Sequence, residues 1–267
     1  MPIFDILGRS IEYERHPGAG NRATVVMLHE GLGSVSMWRD FPARVAATTA
    51  HTVIVYSRVG YGKSEILPDG NDPLGPRRNL RSADFMHREA FDVLPALLGA
   101  LGIERPVLFG HSDGGSIALL YASRHSATGV IAMAPHVKVE DISIASIEDA
   151  RTAWDSTDLQ QKLARYHDDV EGAFRGWNDI WLAPAFRAWN IEADLPLIKA
   201  PILAIQGEDD QYGTLYQIEE IARRNLRTRL FKIPDCKHSP HRDQPAVVLG
   251  AVQSFLATLP KVRKSLA

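Results

Sequence analysis

The stretch "GHSDG" sets Ser112 between two glycines, at residues 110–114. A serine hydroxyl is a weak nucleophile until a base takes its proton, and the base needs an acid to hold it in one tautomer. The pattern G-x-S-x-G carries this chemistry only on a sharp strand-to-helix turn. The flanks fit: "PVLFGH" before Ser112 reads as a strand, and "GGSIALLYASRH" after it reads as a helix. On such a turn the flanking side chains must be small, and the serine oxygen projects from the carboxyl edge of the sheet. A helix from Asp113 onward aims free N–H groups and the positive end of its dipole at the same point. Candidates for acid and base follow in chain order. "IQGEDDQYG" places Asp209 and Asp210 after a late strand-like run, and "IPDCKHSPH" places His238 and His241 after the last one. Either cluster alone reads as solvated loop charge. Together they give the order serine, acid, histidine, all at strand carboxyl ends, where open parallel sheets form their sites.

The elements that must position these groups are legible as a rhythm. Four apolar runs end in loops marked by glycine or proline: "ATVVMLH" (23–29), "HTVIVYS" (51–57), "PVLFGH" (106–111) and "GVIAMAP" (129–135). Runs apolar on both faces suit central strands of a parallel sheet. Helical spacing fills the gaps, in "SMWRDFPARVAATT", "SADFMHREAFDVLPALLGALG" and "GGSIALLYASRH". Two later runs, "APILAIQG" (200–207) and "RLFKIP" (229–234), and a last helix in "QPAVVLGAVQSFLATL" continue the pattern. "IFDILG" and "SIEYERH" read as a hairpin around Gly8-Arg9. Alternating strand and helix predicts an α/β fold, a doubly wound and mostly parallel sheet.

The rhythm breaks at residues 136–195, a polar, helix-flavoured insertion that holds Trp154, Trp177, Trp181 and Trp189, four of the five tryptophans. The expected organisation is a core domain of residues 1–135 and 196–267 with a helical cap at 136–195. Some of these tryptophans must form the insertion's own core; others are expected to line an apolar pocket beneath it. Arg151, Arg165, Arg175 and Arg187 of the insertion read either as a solvated helix face or as partners for an anionic substrate.

Composition narrows the function classes. A net charge of -2 offers no field for nucleic acid and no polybasic membrane patch. The single cysteine, Cys236, excludes an internal disulfide and a multi-cysteine metal site. The first residues lack a basic start and a long apolar stretch, and no run of 18 apolar residues occurs. A cytoplasmic protein is expected, with a small-molecule substrate, no cofactor, no metal, no nucleic-acid partner and no membrane partner. Oligomeric state has no signature in the sequence. "SRVGYGKSE" (57–65) ends like a phosphate-binding loop, but Ser57 stands where that loop requires its first glycine. The Pro- and Gly-rich chain after Ser64 does not read as a helix able to hold an anion.

On these residues the chain resembles the α/β-hydrolase superfamily over nearly its whole length, with a helical cap after the sixth strand. The resemblance implies roles. The acid signature G-x-x-D maps onto Gly207, Glu208, Asp209 and Asp210, favouring Asp210 as orienter. The ending G-H-S-P-H resembles Lys237-His238-Ser239-Pro240-His241, favouring His238 as base and leaving His241 to packing or the rim. "LHEGLGS" stands where the family has His-Gly-x. It implies an oxyanion hole from the N–H of Gly31, with Leu32 as the less favoured donor, and the N–H of Asp113. Glu30 departs from the family there, and an acid at that point needs a cation; Arg58 is a candidate partner. "SRVGYGKS" resembles the family loop D-x-R-G-x-G-x-S, with Gly60 and Gly62 as turn glycines and Lys63 on the surface. Leu32, His136, Trp154, Trp177 and Trp181 are the expected substrate contacts.

The nucleophile sorts the family's chemistries. Haloalkane dehalogenases and epoxide hydrolases carry aspartate where this chain has Ser112. C–C bond hydrolases of the fold usually have tryptophan after the histidine, where this chain has Ser239. Peptidases of the fold usually have tryptophan after the serine, where this chain has Asp113. The resemblance implies hydrolysis of a carboxylic ester or thioester with a small apolar or aromatic acyl group. C–C bond hydrolysis, lactone hydrolysis and cofactor-free haloperoxidase chemistry are the alternatives, as is a non-catalytic ligand-binding protein of the same fold.

Overall fold

The computed structural model describes residues 3–19, 22–67 and 81–260. The Pro- and Gly-rich stretch read above as non-helical falls largely at 68–80, outside the described residues. Eight strands form one sheet in the order β1-β2-β4-β3-β5-β6-β7-β8. They are β1 (Ile3–Ile6), β2 (Arg9–His16), β3 (Val25–Leu28), β4 (Val53–Tyr56), β5 (Val107–His111), β6 (Gly129–Met133), β7 (Ile202–Gly207) and β8 (Thr228–Ile233). β1 and β2 pair antiparallel through a turn at Leu7-Gly8, and β2 runs antiparallel to β4. From β4 through β8 every pairing is parallel. The central strands are buried along their whole length because alternate residues feed two cores. Val26, Leu28, Leu108 and Val130 face one core, and Val25, Met27, Val107 and Phe109 face the other.

Helices cover both faces. α1 (Phe41–Thr49) lies on one face with the last helix, α10 (Pro245–Thr258). α2 (Phe85–Arg88) and α3 (Leu94–Ala100) lie on the other with α4 (Asp113–Arg124). Two of the expected helices differ in detail. Residues 36–49 split into a short 3-10 turn at Ser36–Trp38 and α1, with Arg39 at φ 55 and Pro42 in the first helical turn. α2 and α3 are joined by a π-helical turn, Glu89–Val93, next to Pro95. Proline has no N–H to give to the carbonyl four residues back, and a widened turn accommodates that loss.

Between β6 and β7 the chain leaves the sheet and forms α5 (Asp141–Ser156), α6 (Leu159–Leu163) and α7 (Val170–Leu182). Phe174, Trp177 and Trp181 of α7 recur at helical spacing, so one face of that helix is aromatic. Trp154 of α5 stacks on Phe174 with ring centroids 4.0 Å apart. Two further helices complete the chain, α8 (Tyr216–Arg224) before β8 and α9 (Pro240–Asp243) after it. Among the described residues no helix is long and apolar enough to cross a membrane.

Candidate active site

Ser112 occupies the turn between β5 and α4 at φ 53 and ψ -120, a conformation an L-residue adopts only when its surroundings impose it. Two glycines make the turn possible. A Cβ on Gly110 would overlap the Gly114 carbonyl, and one on Gly114 would overlap the Leu28 carbonyl at the end of β3. The Ser112 N–H donates to Met133 O at 2.9 Å, fastening the turn to β6.

His238, in the loop after β8, bridges serine and acid. Its Nε2 lies 2.9 Å from Ser112 Oγ, and its Nδ1 lies 2.8 and 2.9 Å from the two Asp210 oxygens. A carboxylate only accepts, so Nδ1 carries the proton and Nε2 presents its lone pair to the serine hydroxyl. Asp210 also accepts from the Tyr212 N–H at 2.8 Å and from Gln206 Nε2 at 3.2 Å. Burial pushes its carboxyl upward, but the His238 charge and these hydrogen bonds outweigh it and hold Asp210 below the usual aspartate range. Asp209 is exposed, pointing to no such partner. His241 is buried against Trp38, with ring centroids 4.8 Å apart.

The loop after β3 forms the facing wall. His29 ties it down: its Nδ1 donates to Glu30 O at 2.6 Å, and its Nε2 accepts the Arg58 N–H at 3.0 Å. The N–H groups of Gly31, Leu32 and Asp113 have no acceptor among the described residues. The expected pairing of the Glu30 carboxylate with Arg58 is not what the structure contains. Arg58 donates to the Glu30 carbonyl at 2.9 Å and lies 3.7 Å from the Asp113 carboxylate, whose other oxygen accepts from Trp181 Nε1 at 3.2 Å. The Glu30 carboxylate instead meets His111 Nδ1 at 3.4 Å and Arg242 Nη2 at 3.5 Å. Burial raises the Glu30 carboxyl, and contact with His111 and the Arg242 charge overcomes that, leaving it well below the usual glutamate range. Asp113 shows the opposite balance: burial raises it, and Arg58 and Trp181 only partly compensate. His111 also links the two walls, because its Nε2 donates to the His238 carbonyl at 2.7 Å.

These groups open on a cavity of about 110 Å³ lined by Glu30, Gly31, Leu32, Ser112, His136, Ile147, Trp177, Trp181, Tyr212 and His238. Leu32, His136, Trp177 and Trp181 therefore meet at Ser112. Trp154 does not reach the cavity: it is spent on stacking against Phe174 inside the insertion. None of Arg151, Arg165, Arg175 and Arg187 lines it either; Arg151 pairs with Asp179 at 2.7 Å and Arg187 with Asp141. Sequence reasoning misses Ile147 and Tyr212. Tyr212 lies two residues beyond Asp210 and sets its ring 4.7 Å from that of His238. Ile147 lies seven residues before Trp154, on the same face of α5. A larger cavity of about 410 Å³ at the opposite edge of the sheet, beside Arg105, Arg124 and Lys199, holds none of the serine, acid or base.

The loop "SRVGYGKS" serves packing. Gly60 and Gly62 stand at φ 86 and 60. The Gly62 N–H donates to His167 Nδ1 at 3.0 Å, and the other nitrogen of that ring donates to Leu32 O at 3.1 Å. Lys63 is exposed.

Serine hydrolase BPHL of Homo sapiens is 26% identical over 248 residues, 88% of this chain and 78% of that protein. The enol-lactonase structure from Burkholderia xenovorans LB400 superposes with a TM-score of 0.72 at 23% identity, covering 96% of this chain and all of its own. The proline iminopeptidase of Mycobacterium smegmatis does so with a TM-score of 0.74 at 20% identity, covering 96% and 97%. Those two structures act on different bonds, so their likeness speaks for the fold alone. The model of the alpha/beta hydrolase family matches residues 25–251, and the chain belongs to that family.

Proposed function

We infer that this chain is a serine hydrolase that cleaves a small carboxylic ester or thioester through an acyl-enzyme on Ser112. The observation that carries the reading is the hydrogen-bonded series Ser112 Oγ, His238, Asp210 at the wall of a partly open, largely apolar cavity. His238 Nε2 takes the Ser112 proton as Oγ bonds to the carbonyl carbon, and the carbonyl π pair moves onto oxygen. Collapse restores the carbonyl and expels the alcohol or thiol, which takes the proton from Nε2. Water then attacks the acyl-enzyme with His238 again as base, releasing the acid and restoring the serine. Asp210 holds the tautomer and stabilises the imidazolium.

The free N–H groups of Asp113 and Gly31, with Leu32 as the alternative donor, suit the developing oxyanion. As backbone donors they need no reorganisation, and one is typically worth about 3 kcal/mol. The pairing of Glu30 with His111 and Arg242 removes the objection to an acid beside them. The cavity favours a short aliphatic acyl group over an aromatic one, since an apolar cavity of about 150 Å³ is what a benzene ring fills. Small lactones, being internal esters, belong to the same substrate panel.

The test is intact-mass spectrometry after incubation with a fluorophosphonate, on wild type and Ser112→Ala, followed by turnover of short acyl esters and thioesters. One adduct on wild type, absent from the variant, with ester turnover that the substitution abolishes, is the expected result. Absence of both adduct and turnover, with saturable ligand binding and no product, overturns the reading in favour of a binding protein.

A further inference from the structure

Among the described residues that line the cavity, His136 alone has a fully buried side-chain polar atom without a hydrogen-bond partner. His136 follows β6 and is 2% exposed. Ser116 of α4 fixes its backbone from both sides, accepting its N–H at 3.0 Å and donating to its carbonyl at 2.6 Å. The ring stands edge-on to Trp181, centroids 4.8 Å apart, and 6.0 Å from the His238 ring. Neither ring nitrogen has a partner among the described residues, and Nδ1 is fully buried. Other buried side-chain atoms also lack partners, but none of those belongs to a residue lining this cavity. Burial, reinforced by the neighbouring His238, pushes the His136 pKa down to about 3. At neutral pH the ring therefore offers one N–H and one lone pair and carries no charge. Around it Leu32 and Ile147 are apolar and Trp181 is already bonded, while the Trp177 indole N–H and the Tyr212 hydroxyl are other polar groups on the wall that have no hydrogen bond among the described residues.

We propose that His136 is a specificity-determining residue that hydrogen-bonds a neutral oxygen on the substrate's acyl group, so that short hydroxy- or oxo-acyl esters are preferred over plain aliphatic ones. This rests on the serine-hydrolase reading of the site. A cavity of about 110 Å³ holds the acyl group and little else, which places the matching oxygen on that side of the scissile bond. A carboxylate is the wrong partner. The uncharged ring supplies no countercharge for it. An apolar acyl group leaves the ring nitrogen on the cavity side, Nε2, unpaired, which is the situation that lets a site reject an analogue lacking the polar group.

The test compares the 4-nitrophenyl esters of 3-hydroxybutyrate and 3-methylbutyrate, which differ by a hydroxyl against a methyl group and share a leaving group. Wild type is expected to favour the hydroxy ester in kcat/KM by about 10-fold or more. In His136→Phe, which keeps a ring and removes both nitrogens, that preference should collapse to about one, chiefly through loss on the hydroxy ester. Ser112-dependent turnover of both esters by wild type with no preference overturns this inference and leaves the hydrolase reading standing. A preference that persists in His136→Phe overturns it as well. No Ser112-dependent turnover of either ester overturns this inference, and absence of the fluorophosphonate adduct as well overturns the hydrolase reading with it. The wild-type comparison decides even if the variant fails to fold.

Discussion

Gly114→Ala tests how the two walls of the site are spaced. Gly114 lies in the first turn of α4 against the end of β3. A Cβ there would lie 2.5 Å from the Leu28 carbonyl carbon, closer still to its oxygen, and 2.8 Å from the His29 oxygen. All three are backbone atoms, so no side chain can swing aside. Carbon atoms in contact sit about 3.5–4.0 Å apart, so β3 and α4 must separate by about 1 Å. β3 leads to Gly31 and α4 begins at Asp113, so the substitution pulls apart two candidate oxyanion donors while leaving serine, acid and base chemically intact. A misplacement of that size is worth about 100-fold in rate, and overpacking destabilises by about 1–3 kcal/mol. For a short acyl ester, kcat and kcat/KM should fall together, the signature of an interaction made only in the transition state. Thermal unfolding should move down, and fluorophosphonate should still label Ser112, more slowly. Gly99→Ala is the control: a Cβ there meets nothing within 4 Å, and alanine in that helix should stabilise by about 0.5–1 kcal/mol. Wild-type stability and kcat in Gly114→Ala would refute the close approach of β3 to α4 and the donor spacing built on it.

Three further outcomes are expected. Asp210→Asn should lower kcat by about 10⁴-fold with little change in fold, because an amide can donate to His238 Nδ1 and select the wrong tautomer; a loss under 10-fold, by ester kinetics, would mean that Asp210 does not set it. Stability should fall on acidification, because burial holds His29, His136 and His241 below the usual histidine range. Their depressed values mean that the unfolded chain takes up protons first: the contribution is complete above about pH 6.5 and is lost as pH falls toward the folded values, about 3 for His136. Each can contribute a slope of up to about 1.4 kcal/mol per pH unit, with raised Asp113 and Glu89 opposing it at the acid end; urea unfolding at pH 7 and 5 measures the net sign. Finally, Trp177→Ala should extend the accepted acyl chain by enlarging the cavity, whereas Trp154→Ala should chiefly destabilise, by about 3–5 kcal/mol; an acyl-length profile and a melting curve separate the two.

The strands were legible because residues such as Val25–Leu28 and Val107–Phe109 are apolar toward both faces, a pattern that a one-sided helix or hairpin does not produce. The serine turn was legible because backbone sterics confine it to glycine neighbours, and the chain order of acid and histidine did the rest. Helix α8 was missed because only Ile218 and Ile221 mark its buried side, too short a repeat to stand out. The partners of Glu30 were illegible for a different reason. His111 and Arg242 reach it from the end of β5 and from α9, and only the folded sheet brings those ends together. Trp154 and Trp177 could not be told apart either, because packing and pocket lining demand the same residue type. The i, i+4 spacing of Trp177 and Trp181 was the available clue.

The backbone angle at Ser112 has a meaning for how such a chain changes over generations. A residue held at φ 53 destabilises the fold by about 1–3 kcal/mol, and a glycine there would relieve that strain. Selection for robustness alone would therefore favour glycine at this position. A lineage that lost its substrate would be free to drift toward a sturdier, inert descendant with the same sheet. Serine in the strained turn thus carries a cost in stability that glycine would not, and the same holds for Arg39 at φ 55 and ψ -129.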